Sequence, residues 1–182
     1  MSKKPVIVFE GIEGSGKSFH SSFVSRYLKK KKIKHIKIRE PGGTINAEKI
    51  RNLILDKKSL FKKKTDLLLY LASRSENVEY LRRYHKKQVI LIDRFIDSTL
   101  AYQHYGMGLD FKMINQINKY LLGSFGVDFT FLNIVSIANM QSRLRKRKKL
   151  NRYDNFDVNF YLKVQKGFLK IAKKNIKKYK II

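Results

Sequence analysis

Eight residues near the amino terminus, Gly11-Ile12-Glu13-Gly14-Ser15-Gly16-Lys17-Ser18, complete the pattern G-x-x-x-x-G-K-[ST] and leave this chain few ways to fold. The pattern has meaning only between a buried strand and a helix, and both are foreseen. Val6 to Phe9 is a short apolar run, and Phe19, Phe23 and Tyr27 recur at i, i+4 and i+8, which predicts an amphipathic helix with these rings along its apolar face. Glycines at 11, 14 and 16 let successive backbone N–H groups curl inward, and the helix that follows adds its positive end. Together they make a cradle for phosphates. In such a loop Lys17 reaches the β- and γ-phosphates and the Ser18 hydroxyl can ligate Mg²⁺.

The remainder reads as an α/β chain with a mainly parallel sheet. Ile36 to Ile38 is a second strand. Val89 to Ile92 is a continuous apolar tetrad suited to burial on both faces, Phe129 to Ile134 is a fourth strand, and Tyr179 to Ile182 a fifth. Helical spacing recurs at Ala47, Ile50 and Ile54. It returns at Leu67, Leu71, Val78 and Leu81 behind a start at Thr65 or Asp66, then at Met113, Ile117 and Leu121 behind an Asp110 cap, and finally at Phe160, Val164, Phe168 and Ala172 behind Asp157. With 182 residues and no linker or repeat, one domain over 1–182 is expected.

Composition removes several classes. The chain has no cysteine, so thiolate nucleophiles, disulfides and sulfur-ligated zinc are excluded, and a reducing, cytoplasmic setting fits. Its longest apolar stretch, Leu67 to Ala72, is too short to cross a bilayer, so no membrane partner is expected. The net charge of +27 favours anions in general and selects none. Most of the lysines, such as Lys29 to Lys32 and Lys62 to Lys64, fall at element ends or on solvated faces.

A phosphate loop alone leaves ATPases, GTPases and small-molecule kinases open. A guanine-reading Asn-Lys-x-Asp is missing, because Asn118-Lys119 is followed by Tyr120-Leu121, and no Asp-x-x-Gly switch occurs. After the apolar tetrad comes Asp93-Arg94-Phe95 in place of the Asp-Glu usual in an ATPase. Asp93 at a strand end is placed to hold Mg²⁺ through water. Arg94 beside it offers a bidentate phosphate clamp, which makes sense where a second, acceptor phosphate must lie in line with the γ-phosphate. Arg39, ahead of the Pro41-Gly42-Gly43 turn, is another cation at a carboxyl strand end. Arg143, Arg145 and Arg147, with Lys146, Lys148 and Lys149, form a basic run that suits a mobile flap over phosphates at about 141–154.

The opening Phe-Glu-Gly-Ile-Glu-Gly, then Arg39-Glu40-Pro41-Gly42-Gly43-Thr44, Asp93-Arg94-Phe95 and Ser98-Thr99-Leu100-Ala101-Tyr102-Gln103, in this order and spacing, resemble the thymidylate kinase family. The resemblance implies a three-layer phosphate-loop fold of the nucleoside monophosphate kinase type, with a parallel five-stranded sheet flanked by helices. It also implies Mg²⁺-dependent transfer of the ATP γ-phosphoryl group to dTMP, and a homodimer built on helix faces. On that basis Gly11 to Ser18 bind ATP, and Arg39 and Arg94 bind the dTMP phosphate. Glu13 faces the sugar 3′-hydroxyl, and Tyr70 stacks on thymine. Arg74, one turn further along the same helix face, hydrogen-bonds the base. Thr99 and Gln103 complete the acceptor site, and Tyr102 crowds the sugar 2′ position. The phosphate loop carries no arginine, so the resemblance assigns the catalytic arginines, beside Lys17 and Arg94, to a lid holding Arg143, Arg145 and Arg147, with Arg152 clamping phosphates or securing the lid. Asn133, Val127 and Asn151 depart from the family pattern, and the chain ends at Ile182 short of the terminal helix and adenine-contacting loop that the pattern implies. Two other readings stand beside this one: a phosphate-loop kinase for another nucleotide or nucleoside, and a basic nucleic-acid-binding protein with a degenerate phosphate loop. No specific nucleic-acid partner is expected on the favoured reading, because no recognisable nucleic-acid module occurs.

Overall fold

The computed structural model describes residues 4–147 and 152–182, so Lys148, Lys149, Leu150 and Asn151 lie outside the described residues. Strands run over Val6–Glu10 (β1), His35–Arg39 (β2), Val89–Asp93 (β3), Phe129–Leu132 (β4) and Tyr179–Ile181 (β5). Among the described residues they form a five-stranded sheet of order β2-β3-β1-β4-β5, and every pairing is parallel. Helices span Lys17–Lys30 (α1), Ile45–Leu55 (α2), Lys63–Arg82 (α3), Ile96–Thr99 (α4), Phe111–Leu122 (α5), Ile137–Arg145 (α6) and Val158–Lys174 (α7). Directly after α4, Leu100–Gly106 continues as a wider π-helical turn that packs on α7.

Register sets the site. Phe9 and Arg39 both pair with Asp93, so the carboxyl ends of β1, β2 and β3 finish at one rim. That rim is where open α/β sheets bind ligands. β3 is buried along its whole length, as its apolar run requires between two helical layers.

The expected helices form, with Asp110 and Asp157 capping α5 and α7 through Met113 N and Phe160 N. Three expectations need correction. On α1 the rings of Phe19, Phe23 and Tyr27 are 65%, 57% and 53% exposed. The phosphate loop fixes the phase of this helix, because Lys17 must turn inward, and Ser21, Val24 and Leu28 share its face. Val24 and Leu28 pack on Phe9, Val89 and Leu91, leaving the aromatic stripe on the far side. The start of α3 lies at Lys63, with neither Thr65 nor Asp66 as its cap, since Asp66 is buried and committed to Arg152 and Tyr153. The fourth strand also stops at Leu132, with Ile134 half exposed beyond it.

Candidate active site

The phosphate loop leaves β1 at Gly11, where φ is 139° and a β-carbon would sit 2.2 Å from the Asn133 carbonyl oxygen. Only glycine fits this close approach. Gly16, in the left-handed region, precedes α1, and no side chain caps the helix, so its first amides are open to an anion. Lys17 folds back over the loop and donates to the Ile12 carbonyl at 2.7 Å. Burial, reinforced by Arg94, lowers its pKa to about 7. Bound phosphate would restore the charge. The Ser18 hydroxyl donates to Asp93 Oδ2 at 2.5 Å. These two oxygen donors suit a hard cation that keeps most of its water and takes further oxygens from phosphate, the usual coordination of Mg²⁺.

Two hollows flank Lys17. The first is lined by Gly14 to His20 with Arg143 and Arg147. The second, about 190 Å³, extends from Lys17, Ser18 and Asp93 past Arg94 and Glu13 to Tyr70, Arg74, Thr99, Tyr102, Gln103 and Tyr153. Lys17, Ser18 and Arg147 belong to both walls, so the hollows meet there.

In the second hollow, Arg94 takes a left-handed backbone with φ 68°. The turn is secured from behind by Glu10, which accepts from Phe95 N at 2.8 Å, Ser98 N at 3.2 Å and the Ser98 hydroxyl at 2.5 Å. Burial, with Asp97 nearby, raises the Glu10 pKa to about 7, and burial raises Asp97 to about 6. Arg94 pairs with Glu13 at 2.8 Å, donates to the Gly11 carbonyl at 3.0 Å and lies over the Tyr102 ring at 5.2 Å. Burial works against its charge, but Tyr102, Glu13 and Asp93 outweigh this and hold it protonated. The Tyr102 hydroxyl donates to the other Glu13 oxygen. Glu13, Arg94 and Tyr102 therefore form one closed set.

At the far end Arg74 is 1% exposed. It donates through Nε and Nη2 to Glu40 at 2.9 and 2.8 Å, through Nη2 to the Phe95 carbonyl at 3.0 Å and through Nη1 to Asn118 at 2.7 Å. Four of its five N–H bonds are thus directed into protein, and one hydrogen on Nη1 remains for a ligand. Thr99 Oγ1 and Gln103 Nε2 are buried on the cavity wall with no partner among the described residues. Tyr70, whose pKa burial raises to about 12, stands edge-to-face against Tyr153 at 5.8 Å and stays neutral.

The structure separates the remaining expected residues. Arg39 reaches the cavity rim, but its guanidinium is half exposed and engaged by Glu48 at 2.9 and 3.0 Å. Arg143 donates to the Gly14 carbonyl at 2.6 Å and Arg147 pairs with Asp154 at 2.8 Å, both beside the phosphate loop. Arg145 is not brought to the site. It points to the opposite side of α6, into a groove with Gln141, Leu144 and Phe156, because two residues along a helix turn the side chain by more than half a circle. Arg152 secures its own segment against Asp66 and the Ile54 carbonyl and lines neither hollow.

Sequence reasoning missed Arg51, Glu40, Asn118 and Tyr153. Arg51 donates to the Pro41 carbonyl at 2.7 Å and lines the second hollow, where burial and then Arg39 lower its pKa. A signal existed, since Ala47, Arg51 and Ile54 share a helix face and a cation inside an apolar stripe needs a reason. Asn118 carried none, because it holds Arg74 across 44 residues of chain, and Glu40, although it stands inside the Arg39-to-Thr44 stretch that carries the resemblance, gave no sign that its partner is Arg74, 34 residues away.

A phosphate loop facing a second cavity lined by arginines across a shared lysine, on a sheet of order 2-3-1-4-5, defines a phosphate-loop kinase. Residues 9–182 match the family model described as thymidylate kinase. The thymidylate kinase of Kosmotoga olearia is 35% identical over 178 residues, covering 97% of this chain and 86% of that one. That of Thermosipho africanus is 39% identical over 169 residues, 92% of this chain and 84% of its own. The crystal structure of thymidylate kinase from Ehrlichia chaffeensis superposes with a TM-score of 0.82 at 33% identity, covering 100% of this chain and 93% of that chain. The chain belongs to the thymidylate kinase family.

Proposed function

We propose that the two hollows hold ATP and dTMP end to end, and that the chain carries out its family's reaction, phosphorylation of dTMP to dTDP, at their junction. The observation that carries this reading is the shared wall of Lys17, Ser18 and Arg147. On this assignment the loop amides from Gly11 to Ser18 bind the donor phosphates and Lys17 bridges to the γ-phosphoryl group. Ser18 and Asp93 hold Mg²⁺, which neutralises charge on the phosphates when bound. Arg94 grips the acceptor phosphate, with Arg51 and Arg39 at the rim. The acceptor is already an anion, so no general base is needed, and the side chains supply alignment and charge neutralisation.

The base end follows the same logic. Tyr70 offers a ring face to thymine. The free Arg74 hydrogen, Thr99 Oγ1 and Gln103 Nε2 offer polar partners to its edge, which would relieve buried groups otherwise without hydrogen bonds. Glu13 takes the 3′-hydroxyl, and Tyr102, tied to Glu13, closes the space a ribose 2′-hydroxyl would need. The lid expected at about 141–154, of which 148–151 lie outside the described residues, belongs to the same single domain, with Arg143 and Arg147 supplying its catalytic cations. A homodimer fits the exposed apolar side chains Leu53, Leu60 and Leu68 on or between α2 and α3. The alternative of a nucleic-acid binder with a degenerate loop loses its basis, because every element of the phosphate loop is intact.

Coupled detection of ADP at high salt with dTMP, dUMP, dCMP and thymidine as acceptors tests the assignment. ADP release that depends on dTMP is expected. Turnover with another acceptor and none with dTMP would refute the roles given to Tyr70, Arg74 and Thr99.

A further inference from the structure

In the short turn Arg152–Asn155 two neighbouring side chains converge on one carboxylate. Asp66, in the first turn of α3, is 5% exposed, and consecutive residues of that segment use both of its oxygens. Arg152 Nη2 donates to Oδ1, and the Tyr153 hydroxyl donates to Oδ2 at 3.0 Å. Arg152 also donates through Nε to the Ile54 carbonyl, in the last turn of α2, at 2.6 Å, and its guanidinium lies over the rings of Phe61 and Tyr153. Tyr153 lines the acceptor cavity and packs its ring against that of Tyr70. The next residue, Asp154, holds Arg147, which lines both hollows. Asp66, Tyr70 and Arg74 recur at i, i+4 and i+8, so one stripe of α3 carries the fastening and the base-facing side chains together.

From this chain of contacts we infer that Asp66 is a positioning residue that couples the acceptor base cavity, through Tyr153, to the placement of Arg147 beside the donor phosphates. Asp66 lines neither hollow itself. A base that settles against Tyr70 favours the Tyr153 position in which Asp154 presents Arg147. The two nucleotides therefore bind with positive coupling, each raising the affinity of the other by the same factor. Asp66, buried and bonded to both, fixes Arg152 and Tyr153, while at the other end of the chain of contacts Asp154 keeps the Arg147 side chain, 41% exposed, beside the donor hollow.

The inference rests on the acceptor-pocket reading, and the test separates the two. Dissociation constants for dTMP are measured with and without a non-hydrolysable ATP analogue for the wild type, Asp66→Asn and Tyr153→Phe. In the wild type the analogue tightens dTMP binding by about five-fold or more. Both variants bring that factor towards one, and kcat falls more than the KM for dTMP rises. Tyr153→Phe keeps the ring and removes the hydroxyl, which links Asp66 to Tyr70, so it breaks the relay at its middle and carries the test even if Asp66→Asn folds poorly. A coupling factor in Tyr153→Phe equal to that of the wild type, or a wild type without coupling, overturns the inference while leaving the pocket reading intact. Absence of dTMP binding in the wild type would overturn both.

Discussion

The donor and acceptor hollows share a wall but are built by different means. Backbone makes most of the donor side: loop amides, the uncapped start of α1 and a lysine resting on the Ile12 carbonyl. Side chains locked to one another make the acceptor side, as Arg94 with Glu13 and Tyr102, and Arg74 with Glu40 and Asn118. A backbone cradle survives the loss of a side chain, because the amides keep their places. An interlocked set does not, since removing one partner of a buried ion pair strands the other at a cost of about 3–5 kcal/mol.

The sharpest way to break this comparison is a pair of truncations. Lys17→Ala should lower kcat by roughly 10²–10³-fold, with the fold intact and dTMP affinity little changed. Arg94→Ala should lower kcat/KM for dTMP by a similar factor, on the order of 10²-fold, and also reduce the melting temperature, because Glu13 loses its partner. Steady-state kinetics with thermal melts check both. An Arg94→Ala enzyme with unchanged dTMP kinetics would remove the acceptor-phosphate role. A smaller contrast lies on α6. Arg143→Ala, beside the Gly14 carbonyl, should lower kcat by about ten-fold, whereas Arg145→Ala on the opposite side should leave it within about two-fold. Equal losses would dissolve the distinction drawn between these two arginines.

The smallest effect concerns pH. The Glu10 pKa is raised from 4.5 to about 7, so the fold binds its proton more tightly than the unfolded chain does. Its contribution to stability is therefore complete below about pH 4.5 and is lost as pH rises through about 7; Asp97, raised to about 6, acts in the same direction. Melting temperatures followed between about pH 5 and 8 should fall less steeply for Glu10→Gln than for the wild type. Parallel curves would remove the buried acid from the account of the Arg94 turn.

The same contrast explains what could be read in advance. The donor side was legible because its chemistry is local: eight consecutive residues name the loop, and apolar runs name the strands around it. Arg94 was legible from its place beside Asp93 at a strand end, the family resemblance then supplied Glu13, Tyr70, Arg74, Thr99, Tyr102 and Gln103, and all seven line one cavity. What stayed hidden depends on phase and distance. The rings of Phe19, Phe23 and Tyr27 have helical spacing, yet hydrophobicity does not say that Lys17 sets the inward face. The arginines at 143, 145 and 147 form one basic run in the sequence, and the helix sends 145 away from the other two. Arg39 sits at the expected strand end, but its pairing with Glu48 depends on the turn between them. Glu40, Asn118 and Asp66 hold functional side chains from far along the chain, and short-range spacing carries no trace of such bonds.

The most direct test of the central claim uses one molecule that joins thymidine and adenosine through a chain of phosphates long enough to reach both hollows. The account predicts that it competes with ATP and with dTMP alike, and that Lys17→Ala and Arg94→Ala each weaken its binding. Competition with only one substrate, or binding indifferent to Arg94, would contradict the end-to-end arrangement.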